Sequence, residues 1–197
     1  MLVCNRWTWE ATHSDRLRAA GLWLGKRADL WWLLGIHLSY LPIRRKGATL
    51  EVQRAGEAYL VRLETGEEII TSLKQFADAY RITFAAIRAT GILRRVTLGR
   101  YDDQAKSLRA KELDESLELL SLAGDIAQGQ DGERIVRALV TVGRSDYTTL
   151  GGHVMEAVVG ATAEVIVEPL PTAVRRRQDP ATGLELWDLS SLETLSA

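Results

Sequence analysis

The sequence predicts an α+β fold, a mostly antiparallel β-sheet with one main flanking helix. Three observations carry this reading. One early segment of the body has helical periodicity and a start signal. The segments that follow it are strand-like, and the breaks between them are short and turn-like. No period of 20–50 residues repeats, so a solenoid is excluded.

The chain opens on a tryptophan-rich segment, residues 1–51, which holds five of the six tryptophans within its first 32 positions. Its most apolar run, 28–41, has 14 residues and includes Asp29 and His37, too short for a membrane span. It also lacks a cleavage site placed like that of a signal peptide. Three readings stay open: a partner-binding or membrane-surface amphipathic segment, an extra helix packed on the core, or upstream sequence from a start assigned too early. On the third reading, a chain beginning at Val52 would start just before the first strand.

The main domain is expected over 52–171. AYLVRL (58–63) alternates apolar and polar side chains, as a strand does. Thr65 and Glu68 in TGEE have the spacing of a capping box, with Thr65 as N-cap. Ile69, Leu73, Phe76 and Tyr80 then recur at helical spacing, which predicts an amphipathic helix over 66–80. Strands are predicted at 82–92, 95–101, 107–113, 117–127, 134–144, 153–159 and 163–170, separated by TG, YDDQAK, GQDGE, RSDYTTLGG and GAT among other breaks. Residues 172–197 are expected to be a polar C-terminal tail, with the RRR run Arg175, Arg176 and Arg177 solvated within it.

An apolar fraction of 46% and a charged fraction of 26% are those of a soluble globular protein. One cysteine, Cys4, excludes a disulfide framework and points to the cytoplasm. The net charge of -1 hides an asymmetry. Residues 1–55 carry nine Lys/Arg against four Asp/Glu, and residues 56–174 carry thirteen against eighteen. The middle of the chain therefore lacks the average positive charge of a surface built to neutralise phosphates.

No GxxxxGK[ST] loop, no GxGxxG after the first strand and no GxSxG elbow is present, so no catalytic residue is assigned. His153 follows Gly151 and Gly152, expected to be a structural turn with glycines at positive φ. As the lone histidine of the body, His153 is either structural or ligand-facing. A zinc site there would have to recruit Glu156 or Glu164.

The spacing in GGHVMEAVVGATAEV closely resembles the signature of the PPC (plant- and prokaryote-conserved) domain, also found joined to AT-hooks in plant nuclear proteins. LETGEEIITSLKQFA, ATGILRRVTLGRYD, LELLSLAGDIA and VRRRQDPATGLELWDL fit in the same order, over roughly residues 57–189. The resemblance implies the α+β fold already read, similar to that of acetolactate decarboxylase, and a homotrimer. No Arg-Gly-Arg-Pro hook is present, RRKG (44–47) being the nearest basic run, so any DNA contact falls to Arg175, Arg176 and Arg177 or to N-terminal basic residues. Many prokaryotic relatives carry two histidines, two residues apart, that with the GGH histidine look like a metal site. The matching positions here are Arg137 and Leu139, so no zinc or other cofactor is expected. The expectation is a homotrimeric scaffold associated with DNA or a protein partner, without catalytic activity or membrane contact. The alternative is an anion-binding protein or cryptic enzyme with a pocket near Arg137 and His153. In the scaffold reading Arg137 meets Glu156 or Glu164 across a subunit interface.

Overall fold

The computed structural model describes residues 50–191. The tryptophan-rich segment, with His13, His37 and RRKG, lies outside the described residues apart from its last two positions. Nine strands and one helix follow in the order β1 (Glu51–Ala55), β2 (Ala58–Glu64), α1 (Ile69–Ala79), β3 (Ala85–Asp102), β4 (Ser107–Leu113), β5 (Leu117–Gln128), β6 (Arg134–Gly143), β7 (Thr149–Pro169), β8 (Arg175–Gln178) and β9 (Glu185–Asp188). All strand pairings are antiparallel except one short β5–β8 contact. None of the described helices is long and apolar enough to cross a membrane.

The two longest strands organise the sheet. β7 pairs with β2, β3 and β6, and β3 pairs with β4, β5 and β7. β5 and β6 complete a closed circuit, β3–β5–β6–β7–β3, which removes open edges from those four strands. The expected TG and GAT breaks lie inside β3 and β7, which run straight through them. Gly91 marks a bulge where the register with β5 and β7 shifts. A Cβ there would sit 2.4 Å from the Thr162 carbonyl oxygen, so the glycine serves a close backbone approach and not a turn.

The helix also begins later than the capping-box spacing predicts. Gly66 takes φ 93° and donates its N–H to the Val159 carbonyl at 2.9 Å, so the chain first turns back onto β7. Thr65 is thereby drawn away from the helix and donates to the Gly160 and Ala161 carbonyls, each at 3.1 Å. Glu68 becomes the N-cap, accepting from Ile70 N–H at 3.0 Å and Thr71 N–H at 2.7 Å. The same carboxylate accepts the Ala157 N–H at 3.0 Å and so pins the helix start to β7.

Ile69, Leu73, Phe76 and Ala77 form the buried stripe of α1, against β6 and β7. Each large apolar side chain fully buried there contributes about 1.5–3 kcal/mol. Phe76 meets Tyr59 edge-to-face at a centroid separation of 5.4 Å and the tilted ring of Tyr80 at 4.6 Å.

Residues 172–191 correct the expectation of a solvated tail. β8 and β9 pair as a hairpin, and Val174 is buried with Phe84 and Ala127 in a small second cluster. Trp187 meets Phe84 edge-to-face at 5.8 Å.

Candidate functional site

Strand alternation separates a core face from an outward face. On the outward face, register places Leu60 opposite Ile166, Ile166 opposite Arg88, Arg88 opposite Ala123, Ala123 opposite Leu139, and Leu139 opposite His153. One row thus crosses six strand segments. Leu60, Ile166 and Leu139 on it are 46%, 39% and 55% exposed. A groove of about 600 Å³ runs along the Leu60–Ile166–Ala123 part of the row, flanked by Arg62, Arg88 and Glu164.

At the Leu139 end the hairpin folds over the sheet and makes a cleft of about 470 Å³. Asp125 on β5 lies opposite Arg137 on β6, and Arg176 arrives from β8. Arg176 is 4% exposed and holds both oxygens of Asp125, at 2.7 and 2.6 Å. It also donates to the Glu185 carbonyl at 2.8 Å, and its guanidinium carbon lies 5.9 Å from the Trp187 ring. The Trp187 indole N–H donates to Asp125 at 3.4 Å. Arg137 donates one Nη to the Glu185 carbonyl at 2.7 Å, and its other Nη lies 3.2 Å from His153 Nε2.

A guanidinium has donors only, so His153 Nε2 must present its lone pair to Arg137. The ring is then neutral, and its other side bonds to the Gly99 carbonyl. Burial, then the neighbouring Arg137 charge, lowers the His153 pKa below its ordinary value, with the Gly99 bond opposing in part. Burial first and Arg176 second also lower the Arg137 pKa, but arginine stays charged at any physiological pH.

The sequence-based candidates scatter. Arg137 and His153 do meet, whereas Glu156 sits elsewhere, paired with Arg95 of the same chain at 2.7 Å. Glu164 faces Arg62 and Thr90 across neighbouring strands and borders the groove. Gly151 and Gly152 are inside β7 and are not a turn; neither is among the glycines at positive φ. Their lack of a side chain serves packing, because a Cβ on Gly152 would lie 2.9 Å from the Gly99 carbonyl oxygen. Arg176 is withdrawn as a DNA contact by its burial, while Arg175 and Arg177 alternate outward from β8. Asp125, Trp187 and the Glu185 carbonyl were missed. An aspartate inside the apolar LELLSLAGDIA strand was the available signal, since a carboxylate there needs a partner.

A divalent cation does not suit this donor set. The His153 lone pair is engaged by a guanidinium, Leu139 has no donor atom, and the adjacent charge is positive. Among the described residues no group of three His, Cys, Asp or Glu could hold a metal ion.

The class these features define is an antiparallel-sheet α+β domain with a single capped helix. Residues 50–171 match the Plants and Prokaryotes Conserved (PCC) domain, and the chain belongs to that family. Similar solved structures include a plant- and prokaryote-conserved (PPC) protein from Pyrococcus horikoshii, 30% identical with a TM-score of 0.63, covering 77% of this chain and 100% of that one. A candidate DNA-binding protein from Bacteroides thetaiotaomicron is 27% identical with a TM-score of 0.68, covering 72% and 98%. A metal-containing protein from Archaeoglobus fulgidus is 32% identical with a TM-score of 0.62, covering 73% and 99%. No curated protein matches the chain.

Proposed function

We propose that this PCC-domain protein is a homotrimeric scaffold without catalytic activity, which associates with DNA or a protein partner once assembled. The observation that carries the reading is the exposed row Leu60–Ile166–Arg88–Ala123–Leu139, apolar but for Arg88 and held in register across the sheet. Exposed apolar side chains clustered in that way favour burial against another protein surface. A second copy supplies the same surface, and Glu164 borders the groove along it. Arg175 and Arg177 are the outward basic pair, and a trimer triples them, so weak phosphate contacts add through avidity. The DNA half of the reading also draws on the names of similar proteins from Bacteroides thetaiotaomicron and Ralstonia eutropha.

Native mass spectrometry of the parent and of Leu139→Lys tests assembly. The expected result is a parent trimer and a folded, smaller species for the variant; a monomeric parent overturns it. Retention on duplex DNA should fall steeply with salt. Binding that ignores salt, or no binding at low salt by the trimer, removes DNA and leaves the protein-partner arm.

A further inference from the structure

Four arginines among the described residues are drawn at least partly out of solvent: Arg95, Arg134, Arg137 and Arg176. Three have a carboxylate within 4 Å, namely Glu156, Asp78 and Asp125 respectively. Arg137 has none; its hydrogen-bond partners are a carbonyl oxygen and an imidazole nitrogen, both neutral. Taking an ion from water without a counter-ion is costly, so the exception needs a reason. Asp125 does not supply it, because both its oxygens are committed to Arg176. Asp125 and Glu185 offset the Arg137 charge in part, but only from beyond ion-pair distance, so no carboxylate pairs with it directly.

The rest of the cleft is apolar. Leu139, Leu186, Trp187 and Leu189 line it, and all four are exposed large side chains. Its volume, about 470 Å³, falls in the range of small-molecule sites. A guanidinium fixed by two neutral acceptors is held in place without being neutralised, and its planar fork matches a carboxylate.

We propose that this cleft binds a small organic monoanion, with its carboxylate on Arg137 and its apolar body against Leu139, Leu186 and Trp187. The site adjoins the assembly row at Ala123 and Leu139, while its charged and hydrogen-bonding groups all belong to one chain.

Benzoate is the probe, and benzyl alcohol is its neutral counterpart of similar shape. Calorimetric titration of the full chain should show saturable millimolar or tighter binding of benzoate and at least about tenfold weaker binding of benzyl alcohol. Arg137→Met should abolish the preference, whereas Arg144→Gln, whose parent residue pairs with Glu115 outside the cleft, should keep it. No benzoate binding at millimolar concentration, or equal binding of benzoate and benzyl alcohol by the parent, overturns the proposal even if Arg137→Met does not fold. Recording the oligomeric state of the same samples keeps a failure of this site distinct from a failure of assembly.

Discussion

Asp125→Asn is the substitution whose effect the structure bounds best. The side chain keeps its shape but loses its charge, and one of its two acceptors for Arg176 becomes a donor. Arg176 is 4% exposed and Asp125 13% by side chain, so solvent does little to screen the change. The stranded guanidinium keeps only neutral partners, the remaining amide oxygen, the Glu185 carbonyl and the Trp187 ring. Removing one member of a buried ion pair costs about 3–5 kcal/mol, chiefly as the penalty of the unpaired charge. Unfolding entropy is about 2.1 cal/mol/K per residue, or about 0.3 kcal/mol/K over roughly 140 described residues. The melting temperature should therefore fall by about 10–17 °C. Scanning calorimetry at one fixed protein concentration measures this, because oligomerisation makes the midpoint concentration-dependent.

The mechanism, and not just the loss, is tested by adding Arg176→Met. That removes the stranded charge, so the double variant should melt above Asp125→Asn alone. A drop smaller than about 4 °C for Asp125→Asn would mean that the pair is solvated in solution. A double variant that melts no higher than the single would show that packing of the hairpin, and not charge, dominates.

Gly124→Ala should destabilise more than Gly151→Ala, because the added Cβ meets the Arg137 carbonyl oxygen at 2.1 Å in the first case and the Val140 carbonyl oxygen at 3.0 Å in the second; urea unfolding should rank them so, with at least about 1–3 kcal/mol for Gly124→Ala. Glu68→Ala should cost about 1–2 kcal/mol by the same measurement, since it uncaps α1 and also frees the Ala157 N–H. His153 should make stability depend on pH. Its folded pKa lies below the ordinary 6.5, so the unfolded chain binds the extra proton first as pH falls. Its contribution is complete above about 6.5 and is lost as pH drops from there through the folded pKa. His153→Gln should therefore gain on the parent in melting temperature below that point; a pH-independent difference between the two would refute the neutral-ring assignment.

The fold was legible because the apolar pattern of β2, β5 and β6 is strong and turn signals bracket β4, and the bounds of all four differ from the sequence-based ones by a residue or less. Glycine misled the reading of β3 and β7. At Gly91 the absent Cβ admits a crossing backbone, and a sequence cannot tell that requirement from a turn. β8 and β9 were hidden for a different reason. Their four-residue strands carry RRRQ and ELWD, whose apolar content is too small to register as periodicity. What fastens them is one buried ion pair and one aromatic contact, each with a partner 50 or more residues away in sequence. Arg137 and His153 came together because both their strands were recognised, whereas Asp125 and Trp187 depended on the unseen hairpin.

The hairpin is also what turns a sheet face into a cleft. Without β8 and β9, Asp125 would lie opposite Arg137 on adjacent strands with no competing cation, and the pair would neutralise itself. Arg176 takes both carboxylate oxygens, and its own strand's partner offers the Glu185 carbonyl to both guanidiniums at 2.7 and 2.8 Å. A carbonyl dipole orients Arg137, and the Asp125 and Glu185 carboxylates offset its charge only in part, from beyond ion-pair distance. Trp187 and Leu186, flanking residues of β9, then cover the same spot with apolar surface. A single polar segment thus removes the counter-ion, fixes the cation and supplies the hydrophobic rim. A purely structural arginine would need only the middle one of these effects, and the other two are what a carboxylate on an apolar body requires.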